Sequence, residues 1–388
     1  MTQLPPQPAP RVDIDMQRFH ADPYPILARM QRDAPLAYVP QLDAFVMTRR
    51  DDVWHWEKQI DVLSSDQPDG LMTQLMGRNM MRKDGAAHQA ERRAIFASVS
   101  PRTVRDHWSD MFRAATQDVL DRIRPLNTVD LVADFAMPVS AKALKAVTGL
   151  HDMPWRTMDR VSQAMIDGCA NYAGQPEITA RCHAATAEID RHIQQATKAP
   201  PPWSMLASMQ TAGLPEADIQ ANIKLAISGG QNEPRDAIAG TAWAVMAHPD
   251  VRAALQAGQL NWQGVFAEYA RWMAPIGMSP RRVARDAQIL GYDVPRDARV
   301  FLMFGAANRD PRHFAQPDAF DPWQDASAAV SFGAGPHFCA GAWVSRALIA
   351  DIALPMLFEQ LPKLRCDGPP QFQGWAFRGP RALTVRWD

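Results

Sequence analysis

The residues around Cys339 constrain the structure of this chain more than any other part of its sequence. Residues 331–346 read SFGAGPHFCAGAWVSR, so glycines and a proline enclose the cysteine and a helical pattern begins directly after it. Glycine lets a backbone fold tightly and turn its N–H groups toward a nearby sulfur. The N-terminal end of the following helix carries partial positive charge, which favours a thiolate over a thiol. The segment therefore predicts a hydrogen-bonded loop that presents Cys339 as a thiolate.

Three interpretations of this loop differ in their chemistry. A lone cysteine before a helix is most often a small buried apolar residue. A glycine-rich loop before a helix also binds phosphate, but the G-K-[ST] sequence of a phosphate loop is missing here. A shielded thiolate is a good axial ligand for haem iron. The spacing of Phe332, Gly335, Cys339 and Gly341 closely resembles the haem-binding signature of the cytochrome P450 superfamily, and this resemblance favours the third interpretation.

Composition argues against several other classes of protein. The chain has 388 residues, of which 47% are hydrophobic, enough for a large buried core. Its 41 Lys and Arg residues against 42 Asp and Glu residues give a net charge of −1, which argues against a nucleic-acid binder and against disorder. No apolar run approaches the ~18 residues of a membrane span. We therefore expect neither a nucleic-acid nor a membrane partner.

The use of cysteine indicates a compartment. The four cysteines are sparse and no two form a C-x-x-C pair, which argues against a disulfide scaffold and against a zinc site of the usual spacing. Residues 1–11 are proline-rich and contain no apolar segment of the kind found in signal peptides. The expected location is the cytoplasm.

The hydrophobic pattern predicts a mainly α protein with a smaller β region. Helical periodicity covers residues 23–33, most of 86–196, 215–248, 263–273 and 341–361, with breaks expected at Pro101, Pro125, Pro138 and Pro154. Strand-like runs cover residues 37–40, 44–48, 282–300 and 383–387. The resemblance implies the cytochrome P450 fold, a helix-rich part with minor antiparallel sheets. We expect a flexible N-terminal arm over residues 1–15 and a single domain over residues 16–388.

Two further motifs resemble the superfamily in the expected chain order. Glu268 and Arg271 form an E-x-x-R pair, and side chains three residues apart share one face of a helix. Standing alone, such a pair is most often a surface ion pair. In the superfamily the pair is buried and supports the cysteine loop, so the resemblance implies a structural role for both residues. Residues 307–322, ANRDPRHFAQPDAFDP, resemble the irregular meander that precedes that loop.

The resemblance also implies cationic partners for the two propionates of a haem. His88 and Arg92 form H-x-x-x-R, one helical turn apart, although such a pair by itself is usually surface polarity. Arg282 occupies another propionate position, where Arg281 and Arg285 compete with it. Charge-assisted hydrogen bonds of this kind bind carboxylates strongly. The predicted haem-binding residues are His88, Arg92, Arg282, Phe332, His337 and Gly341.

The resemblance places the oxygen side of the haem in the helix predicted over residues 215–248. Pro234 has no N–H, so the carbonyl of Gly230 loses its helical partner and a kink is expected. Most members of the superfamily have an acid followed by a threonine here, and this chain has Asn232 and Glu233. Apolar surroundings would raise the pKa of Glu233 and make it a proton donor, so both residues are predicted to be catalytic. The alternative is that Glu233 faces solvent.

A narrower resemblance concerns the substrate. Residues 232–234, NEP, and residues 374–387, GWAFRGPRALTVRW, resemble the guaiacol O-demethylase subfamily, which implies a small aromatic ether as substrate. That subfamily encloses the ring with phenylalanines, whereas residues 64–81 here hold leucines and methionines and no aromatic residue, so a different or bulkier apolar ligand also fits. At every predicted pocket position, ordinary core packing is the alternative. The predicted walls are Leu71, Leu75, Leu225, Gly229, Ile276, Met278, Trp375 and Phe377.

These features together predict a haem b-dependent monooxygenase that hydroxylates or O-demethylates a small apolar, aromatic substrate with dioxygen. The sequence holds no flavin, nicotinamide or iron–sulfur motif, so the electrons are expected from a ferredoxin and its reductase or from one fused reductase. Three alternatives stay open. They are a peroxide-driven haem peroxygenase, which Glu233 favours, a hydroxylase of a terpene-like or fatty-acid-like substrate, and a haem-based sensor or carrier.

Overall fold

The computed structural model describes residues 7–171 and 174–387. Within this part, the chain forms two compact units that alternate along the sequence. The first unit contains residues 7–67, 267–339 and 371–379. The second unit contains residues 68–171, 174–266, 340–370 and 380–387. The prediction of one domain over residues 16–388 stays a prediction.

Helices dominate the described chain, which confirms the predicted mainly α architecture. The α-helices are Met16–Ala21, Tyr24–Asp33, Arg50–Trp56, Leu71–Met76, Gly85–Val99, Pro101–Thr103, Ser109–Ile123, Met137–Thr148, Trp155–Cys169, Pro176–Ala196, Met205–Thr211, Glu216–Gly230, Asn232–Ala247, Pro249–Gln256, Trp262–Met273, Phe304–Ala307, Ala342–Arg346 and Leu354–Gln360. Stretches of π-helix join some of them, at Val104–Trp108, Leu131–Ala136 and Ala347–Ala353. Short 3-10 turns lie at Pro40–Leu42, Met80–Arg82, Arg124–Leu126 and Gly335–His337.

The first unit is built on a mixed five-stranded sheet. Its strands are, in spatial order, Leu36–Val39, Ala44–Met47, Arg299–Leu302, Ser279–Val283 and Leu63–Ser64. Ala44–Met47 and Arg299–Leu302 run parallel, and the other neighbours run antiparallel. The predicted sheets were antiparallel only, and the structure corrects this point.

Both faces of this sheet are buried along the strands Leu36–Val39, Ala44–Met47 and Arg299–Leu302, which explains why these three are mostly apolar. Side chains alternate along a strand, so Val46 and Phe301 pack on one side with Phe19 and the helix Tyr24–Asp33. Residues of the opposite register, with Leu302 among them, form a separate core with Val53. The sheet thereby fixes the strand Ser279–Val283 and the helix Arg50–Trp56 in place.

The expected flexible arm is only partly within the described residues, since residues 1–6 lie outside them. From Gln7 onward the chain is paired. Gln7–Pro8 runs parallel to Tyr292–Val294, which pairs in turn with Ala287–Ile289. The N–H of Val12 then donates to the carbonyl of Tyr38. Residues 7–15 therefore differ from the predicted loose arm, because two strands provide hydrogen-bond partners for their backbone groups.

The second unit is a helical assembly with one small sheet. Thr384–Arg386 pairs antiparallel with Thr128–Asp130 and with Arg365–Cys366. The strand predicted near the C-terminus is thereby confirmed. The remaining short strands are Phe372–Gln373 and Gly379–Pro380.

Prolines interrupt helices less often than the sequence predicted. The expected break at Pro138 is wrong, because Leu131–Ala136 runs directly into Met137–Thr148. A π-helical stretch precedes this proline, and the wider turn tolerates a residue without an N–H. Pro355 likewise follows the π-helical Ala347–Ala353 inside the helix predicted after the cysteine. Among the helices of the described ranges, none combines the length and the apolarity that a membrane crossing requires.

Candidate functional site

The predicted cysteine loop is a closed turn in the first unit. The backbone N–H of Cys339 donates a hydrogen bond of 2.8 Å to the carbonyl of Phe332. Gly335 has a φ of +63°, and a Cβ at this position would lie 2.8 Å from Cγ of Lys58. Glycine is therefore required here both by conformation and by space. Cys339 is exposed at the end of the loop.

Two other predicted haem contacts belong to the same loop. His337 is half-buried and ends the turn Gly335–His337. The ring of Phe332 lies tilted against that of Phe338, with 6.3 Å between the ring centroids. The structure therefore brings Phe332, His337 and Cys339 together within one short segment.

Glu268 and Arg271 form a buried, bidentate ion pair. Their side chains are 1% and 0% exposed, and Nε and Nη2 of Arg271 each donate to one carboxylate oxygen of Glu268 at 2.7 Å. The other partners of the pair are the carbonyls of Asn308, Pro317 and Ala319 for Arg271, and the N–H of Asp321 and the amide of Gln324 for Glu268. These contacts hold the whole meander in place.

The buried pair reaches the cysteine loop through Asn308. Arg271 binds the carbonyl of Asn308, whose Oδ1 accepts the N–H of Val330 at 2.7 Å. Its Nδ2 donates to Oγ of Ser331 at 3.1 Å. Because residues 330 and 331 lead directly into the loop, the pair positions Cys339 from a distance. Asn308 was not singled out from the sequence, since its role depends on partners far along the chain.

Glu268→Gln should destabilise the haem-loaded protein by about 3–5 kcal/mol, because it leaves the Arg271 guanidinium buried without a counter-charge. Asp318→Asn is the control, since Asp318 is 74% exposed and pairs with Arg309, and surface pairs contribute less than about 1 kcal/mol. Equilibrium unfolding in denaturant measures both values. Equal costs for the two substitutions would contradict the role assigned to the buried pair.

Arg281 faces the interior on the strand Ser279–Val283. Alternation along the strand gives it the same face as Val283, which is fully buried. The side chain of Arg281 is 2% exposed, and Nη2 lies 3.4 Å from Oε1 of Glu57. A guanidinium buried in this way is the better candidate for binding a carboxylate.

Arg282, the residue predicted for a propionate, is engaged elsewhere. It lies on the opposite face of the strand, where Nε donates to the carbonyl of Asp66 and Nη1 pairs with Asp297 at 2.6 Å. Asp297 is largely exposed, so this pair belongs to the surface. We therefore replace Arg282 by Arg281 in the candidate site. The alternation of side chains along the strand could have identified Arg281 from the sequence, because Val283 marks the inward face.

His88 and Arg92 lie one turn apart on one helix of the second unit, as predicted. His88 is buried and Arg92 is half-buried. The helix is anchored by Lys83, whose Nζ contacts carboxylate oxygens of Glu91 and of Asp218. Glu91 is buried on the same helix as His88.

The predicted kink is an interruption at Gln231, between the helices Glu216–Gly230 and Asn232–Ala247. The hydroxyl of Ser140 donates to the carbonyl of Gln231 at 2.7 Å and lies 3.4 Å from that of Gly230. The proline that follows supplies no N–H to this turn, so Ser140 takes over part of the missing hydrogen bonding. The side chain of Ser140 thus stabilises the interruption between the two helices.

The carboxylate of Glu233 is enclosed. Both carboxylate oxygens are inaccessible to solvent and have no hydrogen-bond partner among the described residues, although the residue as a whole is partly exposed. Burial raises the pKa of Glu233 to about 7. The backbone N–H of Glu233 itself and Arg235 oppose the rise, and Asp236 adds to it. A carboxyl group with this pKa holds and releases a proton near neutral pH.

Asn232 has protein partners on both ends of its amide. Its Nδ2 donates to Oε1 of Gln163 at 3.2 Å, and its Oδ1 accepts from Nη1 of Arg235 at 3.4 Å. Arg235 also pairs with Asp236 and lies 3.8 Å from Asp159. The structure therefore places Asn232 in a polar network beside Glu233, and its catalytic role stays a prediction.

The predicted pocket residues of the first unit divide into two groups. Ile276 and Phe377 face each other in an antiparallel bridge, and Phe377 is exposed. Met278 and Trp375 pack against a hydrophobic core instead, where the Trp375 ring lies 5.4 Å from that of Phe19. Ile276 also packs against the other core of this unit, so core packing, the alternative considered from the sequence, applies to Ile276, Met278 and Trp375.

The predicted pocket residues of the second unit differ in burial. Leu225 is buried, and Leu75 packs closely on Gly168, where an added Cβ would lie 3.1 Å from its Cδ1. Leu71 is half-buried at the start of a short helix. Gly229 is exposed, and a Cβ there would meet open space.

The chemistry of these residues fits a haem. In the first unit a closed glycine loop presents Cys339, and the buried guanidinium of Arg281 is suited to a propionate. The two oxygens of Glu233 find no protein partner, which is typical of groups that serve a bound ligand.

Comparison with known proteins agrees with the fold and with the loop. A family model described as Cytochrome P450 matches residues 262–351, which include Glu268, Arg271 and Cys339. Cytochrome P450 107B1 of Saccharopolyspora erythraea is 28% identical over 80% of this chain and 78% of its own length. The 6-deoxyerythronolide B hydroxylase of the same organism is 25% identical over 97% of this chain and 98% of its own length.

Solved structures have the same fold. Myxobacterial cytochrome P450 CYP267B1 in complex with myristic acid superimposes with a TM-score of 0.84, at 25% identity, over 95% of this chain and 97% of its own. P450BioI in complex with an acyl carrier protein that carries hexadec-9Z-enoic acid gives a TM-score of 0.86 at 19% identity, over 96% of this chain and 100% of its own.

Proposed function

We propose that this chain is a cytochrome P450, a haem b-dependent monooxygenase, with Cys339 as its iron ligand and Glu233 as its proton donor. The observation that carries the proposal is the enclosed carboxylate of Glu233, with a pKa near neutrality and no partner in the described protein. When bound, the haem supplies the iron at which dioxygen is reduced and one oxygen atom is passed to the substrate. The chain supplies the thiolate ligand of the iron, the proton donor and the enclosed surroundings of the reaction.

The residues that would hold the haem are assigned by charge and burial. His88, Arg92, Arg281 and His337 are cations or hydrogen-bond donors suited to the two propionates. Phe332 and Gly341 flank the ligand in the sequence. Arg281 replaces Arg282 in this set, because Arg282 pairs with Asp297.

The electron donor is proposed to be an acidic protein of the ferredoxin type or a reductase. Arginines 92, 93, 102, 105 and 346 form a basic set close to the ligand in sequence or on neighbouring helices, and basic surfaces steer acidic partners. Asp106 pairs with both Arg102 and Arg105, which reduces the charge of this set.

For the substrate we propose a methoxy-substituted aromatic ring. The support is the NEP tripeptide, the run over residues 374–387 and the Ile276–Phe377 bridge, which provides an exposed aromatic face. One atom of dioxygen would enter a C–H bond of the O-methyl group, and the other would leave as water, with two electrons from the donor protein and two protons taken from solvent by way of Glu233. The resulting hemiacetal then breaks its C–O bond and gives a phenol and formaldehyde. Arg378 of that run is structural, since its Nη1 binds the carbonyls of Ala21 and Gly374.

A spectral titration separates the substrate classes. Methoxy-aromatics should displace the water ligand of the haem iron at lower concentrations than matched fatty acids or terpenes, and turnover with a surrogate ferredoxin and reductase should release formaldehyde in step with product. The matched control ligand is the same ring with a hydroxyl in place of the methoxy group. Tighter binding of a fatty acid or a terpene, with hydroxylated product and no formaldehyde, would replace the proposed substrate by the alternative class.

A peroxide-driven reaction is the second candidate function. The observation that favours it is again Glu233, because a carboxylate in an enclosed site can take a proton from hydrogen peroxide. Its pH dependence has the opposite sign to that of a proton donor, which makes the two functions distinguishable.

A further inference from the structure

Glu57 is a buried carboxylate that lies against the cysteine loop in the first unit. Its Oε2 accepts the backbone N–H of Ala334 at 2.6 Å, and its Oε1 lies 3.4 Å from Nη2 of Arg281. The side chain is 2% exposed. A Cβ added to Gly333 would lie 2.9 Å from Oε1, so the glutamate fills the space against the loop.

The contact falls inside the segment that holds Cys339. The hydrogen bond from Cys339 to Phe332 closes residues 332–339 into one turn, and Ala334 lies within that turn. An interaction that fixes Ala334 therefore fixes the turn as a whole. The loop is thus held from one side by the Glu268–Arg271 pair through Asn308 and from the other side by Glu57.

The surroundings of Glu57 make its charge sensitive to pH. Burial raises the pKa of Glu57 to about 7, against the opposing effects of Arg281, the N–H of Ala334 and Lys58. The charged groups that face it are Arg281 on the strand Ser279–Val283 and Lys58 on its own helix end. The Nζ of Lys58 lies over the ring of Trp54, 3.6 Å from its centroid, so that charge is directed away from the loop.

We propose that Glu57 is a positioning residue of the haem–thiolate site, which fixes the cysteine loop through Ala334 and sets the electrostatic potential at Cys339 together with Arg281. The proposal rests on the proposed function, since it requires Cys339 to ligate the iron. An ionised carboxylate beside the thiolate loop stabilises the more positive ferric state over the ferrous state, so ionised Glu57 lowers the reduction potential of the iron.

The experiment measures the haem reduction potential of holoprotein across a pH range centred on about 7. All variants carry Glu233→Gln, which removes the second carboxyl group with a pKa of about 7. With Glu57 present, the potential should fall as the pH rises through about 7. In Glu57→Gln it should stay flat and lie higher on the alkaline side, by about a tenfold change in the ferric-to-ferrous ratio, or ~59 mV for one electron.

The matched control is Asp61→Asn, which removes an exposed carboxylate from the same segment and should leave the potential and its pH dependence unchanged. Glu57→Asp keeps a carboxylate and should keep the pH dependence. If Glu57→Gln retains the pH-dependent potential of the parent, the proposal is overturned.

Two other results also decide between failure of this proposal and failure of the proposed function. If Glu57→Gln fails to load haem, the parent titration alone decides, and a potential that is flat across the range overturns the proposal. If the reduced parent with carbon monoxide lacks the red-shifted Soret band of a thiolate ligand, the assignment of Cys339 fails, which is a failure of the proposed function and is recorded before any Glu57 variant is made.

Discussion

Cys339→Ser should abolish the thiolate signature of the reduced, carbon monoxide-bound protein and lower monooxygenase turnover by more than about 100-fold. The estimate follows from the 10–100-fold cost of losing groups that merely support a metal ligand, since the ligand itself is removed here. A serine hydroxyl does not donate electron density as a thiolate does, and O–O cleavage depends on that donation. The loop should survive, because its closing hydrogen bond uses the backbone of Cys339 and Phe332.

Cys366→Ser is the matched control for this substitution. Cys366 lies half-buried in the strand Arg365–Cys366, and the same exchange of sulfur for oxygen there should leave the spectrum and the turnover unchanged. Spectra of haem-loaded protein, normalised to haem content, provide the measurement. A red-shifted Soret band that persists in Cys339→Ser would assign the iron to a different ligand.

Local sequence predicted those parts of the molecule whose structure depends on local rules. The spacing around Cys339 predicted a turn that requires glycine, and Gly335 has the left-handed φ that justifies it. Hydrophobic runs predicted the strands of the first unit, because that sheet is buried on both faces. The helix break before Pro234 followed from a missing N–H.

Some prolines interrupt their helix and others do not, although their local chemistry is the same. The cause of this difference lies outside the sequence next to each proline. The helix continues through Pro138 and Pro355, because a π-helical stretch before each one widens the turn. It breaks before Pro234, where the hydroxyl of Ser140, distant in sequence, binds the carbonyl of Gln231. No periodicity within one helix contains that information.

Site residues were missed where the direction of a side chain decided the role. Arg281 and Arg282 are identical in type, and only the strand's inward face separates a buried guanidinium from a surface pair. Glu57 follows Val53 by one helical turn, so it occupies an apolar face as a charged residue. A carboxylate at such a position is a signal of function or of a buried pair. Trp375 gives the reverse case, because an aromatic residue near the predicted pocket packs in the core.

Glu233→Gln should lower the product formed per electron consumed by roughly 100-fold, the lower end of the range for a positioned acid or base. The amide cannot release a proton, so electrons should leave as reduced oxygen species without product. Stability should be unchanged or higher, because the carboxylate is enclosed without a partner in the described protein and such a group is costly to bury. Loss of coupling together with retained stability would separate a catalytic role from a structural one.

The control for this substitution is Glu216→Gln, the same change at an exposed carboxylate in the first turn of the helix Glu216–Gly230. It should leave coupling unchanged. Unchanged coupling in Glu233→Gln as well would remove this residue from the proton path. The measurements are oxygen uptake, peroxide release and product, each against electrons consumed.

The sign of the pH dependence then decides between the two candidate functions. A donor acts in its protonated form, so with dioxygen and a reductase the coupling should be highest below the Glu233 pKa of about 7 and fall as the pH rises through it. A base acts in its ionised form, so peroxide-driven turnover should rise over the same interval. In a Glu57→Gln background, which removes the other carboxyl group with a pKa of about 7, both profiles should flatten when Glu233→Gln is added. A peroxide activity that rises through about pH 7, exceeds the dioxygen-dependent rate and disappears in the variant would make the peroxygenase reaction the principal function of this carboxylate.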